Sequence, residues 1–354
     1  MDISFFTLHI LFGLAIVGLS AFASFLLTRH LKAFDVPNER SSHTKAMPRG
    51  GGIGIVCAFL VGILLIHFMG DKAPIYTSYF MGFLCSSFVI AGISLYDDFQ
   101  PISFKLRLAG QVIAIIVGLS TGIVIDLVHL PVFGEIYFGV WAYPLTFLWI
   151  LGLTNTYNFI DGLDGLAAST AVIAGLFFAY ISFRQGSYFI YLTSLTLAAA
   201  SSGFLIFNWS PAKIFMGDVG STFLGFAFAV MAVIAARYDH SHTSLFVVPL
   251  LLFHFIFDTL FTFFRRLLAG EHVFTAHRSH LYQLLNRMGY SHQRVALIYS
   301  ALAVCQGLAA VWMVSIFGAG RVYVFLPFFL GYCLCARMII STAKQKGIIL
   351  WEQG

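Results

Sequence analysis

The chain predicts an all-α polytopic membrane protein, and three observations lead there. Of its 354 residues, 59% are hydrophobic and 10% are charged, against about 25% charged in an ordinary soluble domain. Apolar runs recur from end to end with no polar block of domain size between them, so a single integral membrane domain over 1–354 accounts for the length. The lysines and arginines between those runs are sorted by side.

A helix needs about 20 apolar residues to cross the hydrocarbon. That ruler finds about eleven transmembrane helices, at approximately 3–28, 51–70, 76–96, 107–127, 142–157, 166–183, 188–207, 219–236, 244–264, 295–317 and 322–340. The first is too long for a signal-peptide core and has Asp2 rather than basic residues in front of it, so it reads as an uncleaved span. With the N-terminus outside and the C-terminus cytoplasmic, 16 of the 20 Lys and Arg residues fall inside, leaving Lys72, Arg184, Arg237 and Arg321 outside. The stretch 129–140, where Pro131 and Gly134 interrupt alternating aromatic residues, suits a small external β-hairpin. The five cysteines all lie in apolar runs without a CxxC, which indicates neither a disulfide framework nor a zinc site. The net charge of +5 follows from this topology, and no nucleic-acid partner is expected.

The chemistry-bearing residues concentrate in the inner loops 29–50, 97–106, 155–165, 208–221 and 265–294. Asp97 and Asp98 end the third span, and adjacent carboxylates at a membrane edge are costly unless they pair, bind metal or handle protons; a solvated stop signal is the alternative. In LTNTYNFIDGLDGLA, Asn155, Asn158, Asp161 and Asp164 recur three apart. Residues so spaced share a helical face, and four such oxygens can ligate a hard cation, while Gly162 and Gly165 let backbone approach a phosphate. Polar capping of two helix ends is the competing account.

In NWSPAKIFMGDVGST, Asp218 stands between Gly217 and Gly220, and Ser221 and Thr222 resemble N-cap residues of the eighth span. In the first inner loop, Arg40, His43, Lys45 and Arg49 precede three glycines, which suits a phosphate-bearing ligand or simply reflects positive-inside bias. The same two readings apply to Lys105 and Arg107. The last inner loop gathers His272, His277, His280 and His292 with Arg278 and Arg287 in a pattern unlike HExxH, so phosphate or sugar contacts fit better than zinc. His254 and Asp258 lie inside the ninth span, where a structural ion pair of Asp258 with Arg265 is expected.

Taken together, MPRGGG, YDDF, NxxNFIDGLDGLA, FMGDVGS and the histidine-containing loop resemble the polyprenyl-phosphate N-acetylhexosamine-1-phosphate transferases, which include the peptidoglycan translocase and the O-antigen initiators. The resemblance covers 30–295 and implies transfer of a sugar 1-phosphate from a UDP-sugar donor to an undecaprenyl phosphate acceptor. UMP is released, with Mg2+ required and Mn2+ as its alternative. By motif, Asn158 and Asp218 correspond to metal ligands, and Asp161, Asp164 and Phe215 to the uridine pocket. Asp97 and Asp98 correspond to the pair proposed to deprotonate the lipid phosphate, with Lys105 or Arg107 at the nearby basic position. Arg49 is placed with the substrate-binding residues.

O-antigen initiators read DRxHxHH where this chain has His277-Arg278-Ser279-His280, so only Arg278 and His280 match. That departure resembles the branch using UDP-N-acetylfucosamine or N-acetylquinovosamine, with UDP-GlcNAc the other candidate. The implied setting is the bacterial inner membrane, multi-pass, with the active site on the cytoplasmic face and the first step of O-antigen or another cell-envelope polysaccharide as product. A homodimer stays open. A secondary transporter is the rival reading, but it predicts ionisable residues near mid-membrane on broken helices, whereas these five aspartates sit at inner span ends.

Overall fold

The computed structural model describes residues 3–30, 34–35, 46–69, 73–130, 133–237, 244–272, 275, 277–316 and 318–349. Arg40, His43 and Lys45 lie outside them. The chain runs α1 (Ile3–His30), β1 (Phe34–Asp35), β2 (Met47–Pro48), α2 (Gly52–Met69), α3 (Thr77–Phe99), α4 (Phe104–Ser120), β3 (Leu127–Leu130) and β4 (Gly134–Tyr137). It continues through α5 (Ala142–Ile160), α6 (Leu166–Arg184), α7 (Tyr188–Asn208), α8 (Gly217–Arg237), α9 (Val247–Leu251), α10 (Phe253–Leu268), α11 (Leu281–Arg287), α12 (His292–Met313) and α13 (Phe325–Gln345). The strands form two antiparallel pairs, β1 with β2 and β3 with β4, the second joining Leu127 to Tyr137 and Leu130 to Gly134.

Among the described residues, α1, α2, α3, α6, α7, α8, α12 and the segment ending in α13 are the eight helices long and apolar enough to cross a membrane. Helices α4 and α10 are shorter, at 17 and 16 residues, and α5 carries Thr154, Asn155, Thr156 and Asn158 in its last two turns.

Helix α8 is the centre of the bundle, almost wholly enclosed, with α2, α3 and α5 against it. By contrast α1 and α13 turn Leu8, Leu11, Leu14, Leu330, Leu334 and Met338 outward, the pattern of a surface solvated by lipid. Lipid tails are as apolar as leucine, so helices there associate through close packing and small residues. Gly203 of α7 meets the backbone of Val17 and Ala21 of α1, and Ser20 donates to the Ala200 carbonyl at 2.6 Å. At the start of α2, a Cβ on Gly52 would collide with the backbone of Gly220 in α8. Gly51 N–H donates to the Phe215 carbonyl at 2.9 Å and Gly52 N–H to that of Met216 at 2.8 Å. These glycines therefore bring α2 against the start of α8, and their amides are already taken.

The span expected at 244–264 is interrupted. Leu252 separates α9 from α10 with φ −109° and ψ 16°. The Gln306 amide of α12 fills the gap, oriented by its neighbours so that its oxygen accepts from His254 N–H at 3.0 Å and its nitrogen donates to the Leu251 carbonyl at 3.2 Å. A side chain inserted into the i→i−4 ladder is a recognised cause of a helix break.

The expected pair of Asp258 with Arg265 does not form, because seven residues separate them by about 10 Å along the axis. Arg265 Nη2 donates to the Ser279 carbonyl at 3.1 Å instead. Asp258, fully buried, anchors the start of α11: Oδ1 accepts from Leu281 N–H at 2.8 Å, and Oδ2 from Tyr282 N–H at 3.2 Å and Tyr299 OH at 2.8 Å.

Two outcomes follow for stability in detergent. Asp258→Ala leaves those donors buried without an acceptor, and the expected loss is on the order of 3 kcal/mol, read as a lowered thermal midpoint; an unchanged midpoint would show that the anchor is dispensable. Gly52→Ala forces α2 from α8 and should cost about 1–3 kcal/mol, whereas alanine at Gly13, whose added Cβ would meet nothing within 4 Å, should be tolerated in the same measurement.

Candidate active site

The first turn of α8 is the hub. A helix N-terminus presents unpaired N–H groups and a positive dipole end, and here the carboxylate comes from another helix. Asp98 of α3 accepts Asp218 N–H at 2.8 Å on Oδ1 and Val219 N–H at 3.0 Å on Oδ2. Ser221 and Thr222, expected to cap this helix, lie inside it and donate back to the Gly217 and Asp218 carbonyls. Gly217, with φ +75°, makes the entry turn.

The Asp218 side chain is thereby aimed into a ring of donors. Arg49 Nη2 and Asn158 Nδ2 donate to Oδ1 at 2.9 and 3.1 Å, and Arg107 Nη1 donates to Oδ2 at 2.9 Å. Arg49 Nε reaches Asp98 at 3.0 Å. Asp97 accepts from Ile102 N–H at 2.9 Å and stands 3.3 Å from Arg107. The two neighbouring aspartates thus differ in partners: Asp98 takes two α8 amides and Arg49, whereas Asp97 takes the Ile102 amide and Arg107. Arg107 joins this cluster, while Lys105, two residues earlier in α4 and so turned to the other side of the helix, is exposed.

The four oxygen-bearing residues at 155–164 do not converge as one ligand set. Helix α5 ends at Ile160, so only Asn155 and Asn158 share its face. Asn155 Nδ2 donates to Gln111 at 2.9 Å, and Asn158 alone reaches Asp218. Asp161 caps the helix end, and burial, followed by the charge of Asp218, pushes its carboxyl up to about 8. Burial also works to raise Asp164, but the His292 hydrogen bond and charge outweigh it and hold that carboxyl below its ordinary value. His292 Nδ1 lies 3.2 Å from Asp164 Oδ1, and Ala212 N–H donates to Oδ2 at 3.2 Å. No local pattern could have paired Asp164 with a histidine 128 residues away.

Around this turn the glycines permit contact with protein. A Cβ on Gly162 would strike the Tyr282 hydroxyl, which donates to the Phe159 carbonyl at 2.9 Å. Gly165, at φ +73°, donates its N–H to Asn208 at 3.0 Å. Phe215 lies half-buried, bonded by backbone to Pro48 and Gly51.

The histidine loop packs beside the same turn through Tyr282. His280 is buried, with Nδ1 3.3 Å from Asp258, and its ring stacks on His277 at 4.9 Å between centroids. Burial first, then the nearby His280 and Arg266 charges, push His277 down to about 3, so it is neutral at physiological pH. Arg278 accepts at its carbonyl from Arg287 Nη1 at 3.1 Å.

No group of three or more His, Cys, Asp or Glu side chains placed to hold a metal occurs among the described residues. Mg2+ does not require one, since it commonly takes one or two protein oxygens, water and substrate phosphate. The donor chemistry fits such an ion. Asp218 and Asn158 touch, and rotation of the Asn158 amide would present its oxygen on the same side.

Residues 80–236 match the family described as Glycosyl transferase family 4. The chain is 35% identical over 291 residues to a probable undecaprenyl-phosphate N-acetylglucosaminyl 1-phosphate transferase of Bacillus subtilis (strain 168), covering 79% of each. It is 30% identical over 364 residues to a decaprenyl-phosphate N-acetylglucosaminephosphotransferase of Mycobacterium leprae (strain TN), covering 93% of this chain and 88% of that one. A phospho-N-acetylmuramoyl-pentapeptide-transferase of Halalkalibacterium halodurans is 32% identical over 214 residues, or 55% of this chain and 64% of that one. On that relationship the chain belongs to glycosyl transferase family 4, within the polyprenyl-phosphate sugar-1-phosphate transferase superfamily, and is a phosphotransferase for substituted phosphate groups.

Proposed function

We propose that the chain transfers an N-acetylaminosugar 1-phosphate from a UDP-sugar to undecaprenyl phosphate, releasing UMP and beginning a cell-envelope polysaccharide. The observation that carries this reading is the Asp218 carboxylate, set by the Asp98 cap and met by Arg49, Arg107 and Asn158 at one end of the bundle. With 16 of 20 basic residues expected on that side, the positive-inside rule supports a cytoplasmic site in the inner membrane, where a nucleotide sugar is available. The names of the Bacillus and Mycobacterium relatives support UDP-GlcNAc as the donor. The departure around His277 and His280 keeps UDP-N-acetylfucosamine and UDP-N-acetylquinovosamine on the panel.

In the reaction, an oxygen of the lipid phosphate forms a bond to the sugar-bearing phosphorus. The bond from that phosphorus to the bridging oxygen breaks, and UMP leaves with the electron pair. Such transfer depends on charge neutralisation and in-line placement more than on a protein nucleophile. Asp218 and Asn158 would hold Mg2+, which when bound supplies positive charge against the diphosphate. Arg49 and Arg107 then turn from Asp218 toward phosphate oxygens, a role suited to planar guanidinium donors. Asp97 takes the proton of an acceptor that arrives as a monoanion, and Asp98 keeps the α8 amides in place. Asp164, held by His292, and Asp161 and Phe215 receive the uridine. His277, Arg278 and His280 face the sugar phosphate, with Lys105 at the acceptor's approach.

The deciding experiment incubates purified protein with undecaprenyl phosphate, Mg2+ and each UDP-sugar, scoring UMP and lipid product. Absence of product from every sugar with folded protein would sink the reading. Chelation by EDTA should abolish turnover and added Mg2+ should restore it. Asp218→Asn should lower kcat roughly 10²–10³-fold, and full activity in that variant would refute the ligand assignment. His292→Ala should raise KM for the UDP-sugar about tenfold, the scale of losing one charge-assisted hydrogen bond, with kcat changed less; an equal loss in both would place His292 elsewhere in the cycle.

A further inference from the structure

Between α10 and α13, at the end where both helices finish, lies a groove of about 730 Å³ that shares no residue with the aspartate cluster. Its lining is graded along the helices. Phe261 on α10 and Cys333 on α13 come first in chain direction, and one turn further on each helix brings Arg265 and Arg337, with Lys344 beyond. On α13 the spacing Cys333, Arg337, Ser341, Lys344 keeps these residues on one face. No carboxylate lines the groove among its described residues. The enclosed Arg265 Nε has no hydrogen-bond partner there, while its Nη2 holds the Ser279 carbonyl in the histidine loop. Outside the groove, α13 continues into exposed Leu330 and Leu334.

Apolar walls that lead to a cluster of cations at a helix end match a bilayer lipid with its chains beside the protein and a negative headgroup at the interface. Basic pockets between membrane helices on the cytoplasmic side take anionic headgroups in this way. We propose that this groove binds the phosphate headgroup of an anionic phospholipid from the surrounding bilayer. Through Arg265, which bridges the groove and Ser279, an occupied groove steadies the loop carrying His277 and His280. Binding does not depend on the transferase reading; the effect on turnover does.

The test uses the full chain in detergent with equal amounts of phosphatidylglycerol and phosphatidylcholine, and native mass spectrometry reads which lipid is retained. Wild type should retain phosphatidylglycerol preferentially, and the double variant Arg337→Gln, Lys344→Gln should lose that preference roughly tenfold, since each cation near an anionic headgroup contributes measurably. Equal retention of the two lipids, or a preference unchanged in the double variant, overturns the proposal. Displacement of retained lipid by inorganic phosphate would make the groove a simple anion site, and one-for-one displacement by undecaprenyl phosphate would make it an acceptor site; either outcome overturns it too. In vesicles, phosphatidylglycerol should raise wild-type turnover and leave the double variant flat. If no vesicle shows turnover with any UDP-sugar, the transferase reading fails while lipid retention still decides the groove.

Discussion

The carboxylate of Asp98 on the first amides of α8 is the interaction on which the site rests. It answers the positive end of α8, the most enclosed of the eight candidate spans among the described residues, with one carboxylate oxygen on each of two backbone amides. Because the same Asp98 also meets Arg49, and Asp218 meets Arg49, Arg107 and Asn158, one contact draws α3, α4, α5, α8 and the entry to α2 to a common point. Gly52 and Gly220 make this geometrically feasible, since any side chain at their crossing would hold α2 and α8 apart.

Around that point the charges do not balance. Asp97, Asp98, Asp161, Asp164 and Asp218 gather there against Arg49, Arg107 and His292, and burial together with the Asp218 charge raises the Asp161 carboxyl. Such an arrangement suits the chemistry proposed above: a bound cation would offset the carboxylates, and Arg49 and Arg107 would be donors for phosphate oxygens. The dense packing beneath, with Tyr157 against Phe228 and Phe255, keeps the α5 end and its Asn158 fixed while ligands exchange.

The histidine loop is attached differently. It hangs from α10 by hydrogen bonds to one buried carboxylate, Asp258, and from Arg265 through Ser279. The break at Leu252, filled by Gln306, sets the direction in which α10 leaves the bundle. Specificity would then reside in a segment docked by a few polar contacts, while the aspartate cluster sits on packed helices; loops on a rigid frame commonly carry recognition.

Most helices were legible because apolar length is a local property, and so were the chemistry-bearing motifs, because aspartate, asparagine and glycine are scarce and costly at span ends. The family resemblance, not local spacing, put Asn158 and Asp218 together, and the two side chains do touch; local spacing had less reach. Local spacing erred where a partner decides: Asn155 turns to Gln111, Ser221 and Thr222 are not the caps of α8, Asp258 bonds the start of α11 rather than Arg265, and 244–264 is two helices. By itself, then, the sequence determined a helical membrane protein with acidic motifs gathered at span ends and a transferase family. The tertiary structure decided which carboxylate caps α8, which arginine each aspartate meets and which aspartate binds histidine, because residues 120 or 128 positions apart meet only when packing places their helices side by side.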